Sequence, residues 1–159
     1  MTTKSDFTEE EWARIRRAPL VAGMAISLAD PGGPIELAKE TTASLKLATN
    51  PPSREQLLTD IALDIQSMAQ ERQNPLSEFK PTSGADPRQQ ILEELRSVSE
   101  IVSSKAATEE TAGFKEWLLA SAQAAADAAK EGGFMGFGAV QVSEGEQKML
   151  DQVRATIGA

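Results

Sequence analysis

Cysteine, histidine and tyrosine are all missing from this chain of 159 residues. Each absence removes a chemistry. Without cysteine there is no thiolate nucleophile and no disulfide; without histidine there is no imidazole to move protons near neutral pH. Zinc and copper lose the nitrogen and sulfur ligands they favour, so any metal has to be a hard cation, such as Ca²⁺, Mg²⁺ or Mn²⁺, held by Asp and Glu oxygens. Positive charge is scarce too: 16 Lys and Arg stand against 24 Asp and Glu, which leaves a formal charge of -8 and a pI near 4.7. The average field repels a phosphate backbone and an anionic bilayer, so neither nucleic acid nor a membrane is expected as a partner. The opening M-T-T-K-S-D-F-T-E-E-E has no signal-peptide core. No later run approaches the ~18 apolar residues of a membrane span, and a cytoplasmic protein is expected.

What is present is helical. Thr8-Glu9-Glu10-Glu11 has the form of a capping box, and Trp12 and Ile15 follow at helical spacing. Ala18-Pro19 then predicts a break or kink, with Pro19 as the first residue of a second helix whose face is Leu20, Val21, Met24, Ala25 and Leu28. Asp30-Pro31-Gly32-Gly33-Pro34 reads as a turn, and Ile35 to Ala48 resumes helical composition until Asn50-Pro51-Pro52. Ser53 and Gln56 are expected to open a core helix carrying Leu58, Ile61, Ala62, Ile65, Met68 and Ala69. Residues 72–85 are polar, contain Pro75, Pro81 and Gly84, and read as a flexible surface loop.

Asp86-Pro87 supplies a cap and a first-turn proline to a helix with Ile91, Leu95, Val98 and Val102 on one face. Thr108 opens the longest helix, with Phe114, Trp117, Leu118, Ser121, Ala122, Ala125 and Ala129 on one side; its alanines predict close approach of another helix. Ser143 and Glu146 suggest a last capping box before Met149, Leu150, Val153 and Ile157, with Gly158 ending the helix. Trp12 and Trp117 are expected in the core, and Arg14, Arg16 and Arg17 as solvated charges near a helix end. The fold class expected is all-α: a compact bundle of about six or seven helices in one domain spanning residues 1–159.

The glycine-rich stretch E-G-G-F-M-G-F-G, residues 131–138, lacks the Lys and Ser/Thr that close a phosphate-binding loop, so it reads as a corner between helices. It echoes the earlier L-A-D-P-G-G-P: in both, a helix ends in an acid, glycines turn the chain and the next helix brings another carboxylate. With these two corners the chain resembles the tellurite-resistance TerB-like family, all-helical bacterial proteins in which paired A-D-G-x-(several)-E junctions place carboxylates at acidic, cation-binding corners. The resemblance assigns Asp30 as the first motif acid, with Glu36 or Glu40 as its later partner, and Glu131-Gly132 as the second pair, closed by Glu146. Pro31 stands where that pattern has glycine, and Glu131 where it has aspartate. The glycine-phenylalanine loop also looks like one in bacterial proteins of unknown function.

The excluded chemistries and the corner acids, with the resemblance in support, lead to the expectation of a non-enzymatic cytoplasmic protein of the interaction or stress-associated kind, with no assured cofactor. Ca²⁺ or Mg²⁺ is the candidate metal, at Asp30, Glu36, Glu40, Glu131 and Glu146, and a protein partner or a homo-oligomer is left open. The alternative is a small-molecule binder or enzyme with a pocket under residues 132–138, using Glu131 or Asp30 as general base and glycine N–H groups as oxyanion donors.

Overall fold

The structure is a computed structural model; it describes residues 2–29, 42–73, 76, 79, 86–130 and 144–158, with backbone only at 129 and 130. Among the described residues there are six α-helices and no strand, so the expected all-α bundle is what forms. A 3-10 turn at Lys4–Asp6 precedes α1, Glu9–Ala29; α2 covers 42–48, α3 is Gln56–Gln70, α4 is Pro87–Lys105, α5 is Thr108–Lys130 and α6 is Glu144–Ile157.

The centre of the bundle is α1, which packs most extensively on α5 and α4, and also on α6 and α3. Its middle is apolar all round: Ala18, Pro19, Leu20, Val21, Ala22, Gly23, Ala25 and Ile26 are buried. A helix of that kind belongs inside a protein. The break expected at Ala18 is absent, because α1 runs through Pro19 without interruption. An interior proline costs about 3 kcal/mol, whereas each large apolar side chain fully buried returns about 1.5–3 kcal/mol. Ile15 and Ile26, both wholly buried, lie three turns apart on one face and reach the core together only if the axis continues. Packing therefore outweighs the local penalty.

The other helices follow their apolar faces. Ile91, Leu95, Val98 and Val102 of α4, Phe114, Trp117, Leu118, Ala122 and Ala125 of α5, and Met149, Leu150, Val153 and Ile157 of α6 are all in the core. On α3, Leu57, Leu58, Ile61, Ala62 and Ile65 are buried, but Ala69 is exposed, so the buried face stops a turn early. Both tryptophans are packed with their N–H groups satisfied: Trp12 Nε1 donates to Asp64 Oδ2 at 2.8 Å and Trp117 Nε1 to the Leu47 carbonyl at 2.7 Å. The alanine face of α5 meets α1 where Gly23 has no side chain; a Cβ there would lie 4.0 Å from Ala125 Cβ and 2.8 Å from Ser44 Cβ.

Helix ends agree with the sequence in most places. Thr8 Oγ1 accepts from Glu11 N–H at 3.1 Å while Glu11 Oε1 accepts from Thr8 N–H at 2.9 Å, a complete capping box. Asp86 Oδ1 accepts from Arg88 N–H at 3.0 Å, with Pro87 in the first turn. The expected opening of α3 by Ser53 is displaced: Glu55 occupies the cap and gives no side-chain hydrogen bond. Ser53 Oγ is instead buried against α5, beside Gly113. Within the expected loop 72–85, Arg72 and Gln73 end α3, and Leu76 and Phe79 pack partly buried on the core; the rest of that expected flexible loop lies outside the described residues.

Candidate functional site

Three arginines on the second and third turns of α1 are partly buried, each beside a carboxylate. Arg14 meets Glu94 of α4 as a fork, Nε to Oε1 at 3.1 Å and Nη2 to Oε2 at 3.1 Å, and its Nη2 also donates to Ser97 Oγ at 2.8 Å. Arg17 Nη2 adds a second guanidinium to the same carboxylate at 3.3 Å, and its Cζ lies 5.4 Å from the Phe79 ring centroid. Arg16 Nη1 donates to Asp64 Oδ2 at 3.2 Å. The expectation of solvated arginines is corrected here: a bidentate fork fits a carboxylate better than water does, and it ties α1 to α4. The hydrogen bond to Glu94 raises Arg14 above its ordinary pKa.

Among the described residues three carboxyls are displaced, all downward. Burial pushes Asp64 up, but the Trp12 N–H, Arg16 and the Lys4 ammonium at 3.7 Å outweigh it. Burial likewise raises Glu110, and hydrogen bonds from Thr2 at 2.9 Å and Ala107 at 3.4 Å bring it below its ordinary value. Glu11 is lowered by Lys105, 2.6 Å away, and by the Thr8 N–H. Each of the three is held as an ionised acceptor by donors already in place.

The clefts lie away from these groups, except that Glu110 borders one of them. One of about 470 Å³ opens where α4 ends and α5 begins, with Ala106, Ala112 and Leu119 as its apolar part and Thr108, Thr111, Lys115 and Glu116 around them. A second, about 330 Å³, runs between Leu119, Ala120 and Gln123 of α5 and Gln147, Leu150, Asp151 and Arg154 of α6. Both contain Glu116 and Leu119, so they join into one groove along the outer side of α5. Its sequence signal is Leu119, an apolar residue off the core face of α5. A third cleft, about 480 Å³, lies between the starts of α3 and α5 and is lined by Arg54, Glu55, Gln56, Ala107, Glu109 and Glu110.

Of the residues expected to bind a cation, Asp30, Glu36, Glu40 and Glu131 lie outside the described residues, as do the glycine-phenylalanine loop 132–138 and Ser143. Glu146 is described: it sits in the first turn of α6 and is buried. Among the described residues no three carboxylates converge closely enough to hold a metal ion, and no helix is long and apolar enough to cross a membrane. Compared with protein-family models, with curated proteins and with solved structures, the chain finds no match.

Proposed function

We propose that this chain is a non-enzymatic binding protein of the cytoplasm, of the stress-associated, TerB-like kind, working through contact with a protein partner and holding a divalent cation weakly at its helix corners. The non-enzymatic part of this reading is supported by the state of the displaced carboxyls among the described residues. A general acid or base of the carboxylate type works when burial raises its pKa toward neutrality beside a pocket that excludes water. Asp64, Glu110 and Glu11 are displaced the other way, and each is engaged by donors from the fold. The three clefts named above are open at the surface rather than enclosed, which suits association better than sequestered chemistry.

The test is thermal unfolding with Ca²⁺, Mg²⁺ and a metabolite panel, against KCl at matched ionic strength because a chain of charge -8 is stabilised by any screening cation. A saturable rise with one divalent ion beyond the KCl control is expected. A metabolite acting in place of the ion would turn the reading toward the small-molecule alternative; at a hundredfold excess over its Kd it would add about 2.7 kcal/mol. The absence of any divalent effect would remove the cation and leave the protein contact.

A further inference from the structure

We propose that the groove between α5 and α6 is where two copies of this chain meet, about a two-fold axis passing near Leu119. The inference rests on the reading that the protein binds a protein partner, and it names the surface and the partner. Lys115, Glu116, Arg154 and Asp151 line the groove, and none of them forms an ion pair among the described residues. The two helices run antiparallel there: Gly158 sits beside Lys115, while Gln147 shares the other end of the groove with Gln123. Along the groove the charges therefore fall in the order Lys115, Glu116, Arg154, Asp151, which alternates in sign.

A contact about a two-fold axis uses the same patch twice and has to be complementary to itself. Lys115 and Glu116 lie on the α5 wall and Arg154 and Asp151 on the α6 wall, so a two-fold axis in the contact plane, crossing the groove obliquely, sets Lys115 against Asp151 of the partner subunit and Glu116 against Arg154 of the partner subunit. Leu119 is half-buried and borders both clefts, so two copies bring apolar surface together at the middle. The four groove charges cancel, whereas the chain as a whole carries -8 and repels its copy over most of its surface. From Thr108 to Gln123 the groove follows about 22 Å of helix. That length gives an interface at or below the lower end of the usual range, about 1,200 Å², and a dimer that dissociates on dilution.

Sedimentation equilibrium of the full chain over a concentration series should show monomer passing to dimer. Lys115→Glu should weaken the dimer about tenfold, and adding Asp151→Lys should restore it. An independent probe uses the absence of cysteine from the chain. Leu119→Cys should give a disulfide-linked dimer under mild oxidation much faster than Leu63→Cys, whose parent side chain on α3 is 56% exposed. A chain monomeric at every concentration overturns the proposal. So does a dimer that cross-links no faster through position 119 than through 63, or one that the second charge reversal does not restore. A monomer would leave the cation part of the functional reading to its own thermal test, so the two fail separately.

Discussion

At the scale of single residues, three positions show how backbone and space set the tolerance of the fold. Gly23 lets Ser44 of α2 close on α1, and an added Cβ would lie 2.8 Å from Ser44 Cβ, where one element has to move. Gly23→Ala gains about 0.5–1 kcal/mol of helix propensity but overpacks at a cost of about 1–3 kcal/mol, so a net loss is expected in urea unfolding. Gly113→Ala is the control: its Cβ would meet Ser53 Oγ at 3.2 Å and Leu58 Cδ2 at 3.3 Å, both side-chain ends able to shift, and its midpoint should stay close to the parent's. Arg72 is the opposite case, a long side chain where glycine fits better. It has φ of 60°, and the bonds Arg72 N–H to Ala69 O at 3.1 Å and Gln73 N–H to Met68 O at 2.8 Å close α3 in a Schellman motif. Left-handed backbone costs a residue with a Cβ roughly 1–2 kcal/mol. Arg72→Gly should therefore stabilise by up to about 1 kcal/mol, once the greater freedom of the unfolded chain is subtracted; a loss of stability would show that Arg72 makes a contact worth more than its strain.

Among the helices, α1 decides the architecture and is also where local sequence signals mislead. The capping box at Thr8, the cap at Asp86 and the faces of α4, α5 and α6 were legible because caps and 3.6-residue periodicity act within a few residues. The continuity of α1 was not, because it depends on the burial of its middle by helices from distant parts of the chain, α4 and α5 foremost among its neighbours. The pairing of Arg14 and Arg17 with Glu94 was hidden for the same reason: 80 and 77 residues separate the partners, and nothing near either arginine announces it. The candidate site was less legible still. Glu146 belongs to the expected cation set yet lies buried in the first turn of α6, and the groove around Leu119 rests on a register between α5 and α6 that periodicity does not encode. Pro19 tests the account of α1. Pro19→Ala restores an N–H and removes the ring's clash with the Ile15 carbonyl, a gain of about 3 kcal/mol, and loses two buried methylenes at about 0.8 kcal/mol each. A rise of roughly 1 kcal/mol in unfolding free energy is expected, measured by guanidinium titration with unchanged helicity. A fall would mean that the ring's packing, rather than the flanking apolar residues, holds the helix there.

For the whole molecule, charge sets the dependence on pH. With no histidine in the chain, side chains contribute almost no titration between about pH 6 and 8, and stability should be nearly flat there. Below that range two effects oppose each other. The charge of -8 repels itself more strongly in the compact state than in the unfolded chain, so neutralising surface carboxylates on the way toward the pI of 4.7 relieves strain and stabilises. Asp64 and Glu110 work in the other direction. Their folded pKa values lie below the ordinary 3.8 and 4.5, so the stability they supply is fully present above those values. It is lost as pH falls through the depressed folded values, where Asp64 lets go of Trp12 and Arg16 and Glu110 lets go of Thr2 and Ala107. Urea midpoints should accordingly rise modestly from pH 7 to about pH 5 and drop steeply below about pH 4. Asp64→Asn should lower the plateau and flatten the acid limb, because the group whose protonation drives part of that limb is gone. A stability that declined steadily from pH 7 downward would show that self-repulsion is negligible in this bundle. An acid limb unchanged in Asp64→Asn would show that the bonds converging on Asp64 hold geometry without contributing to stability.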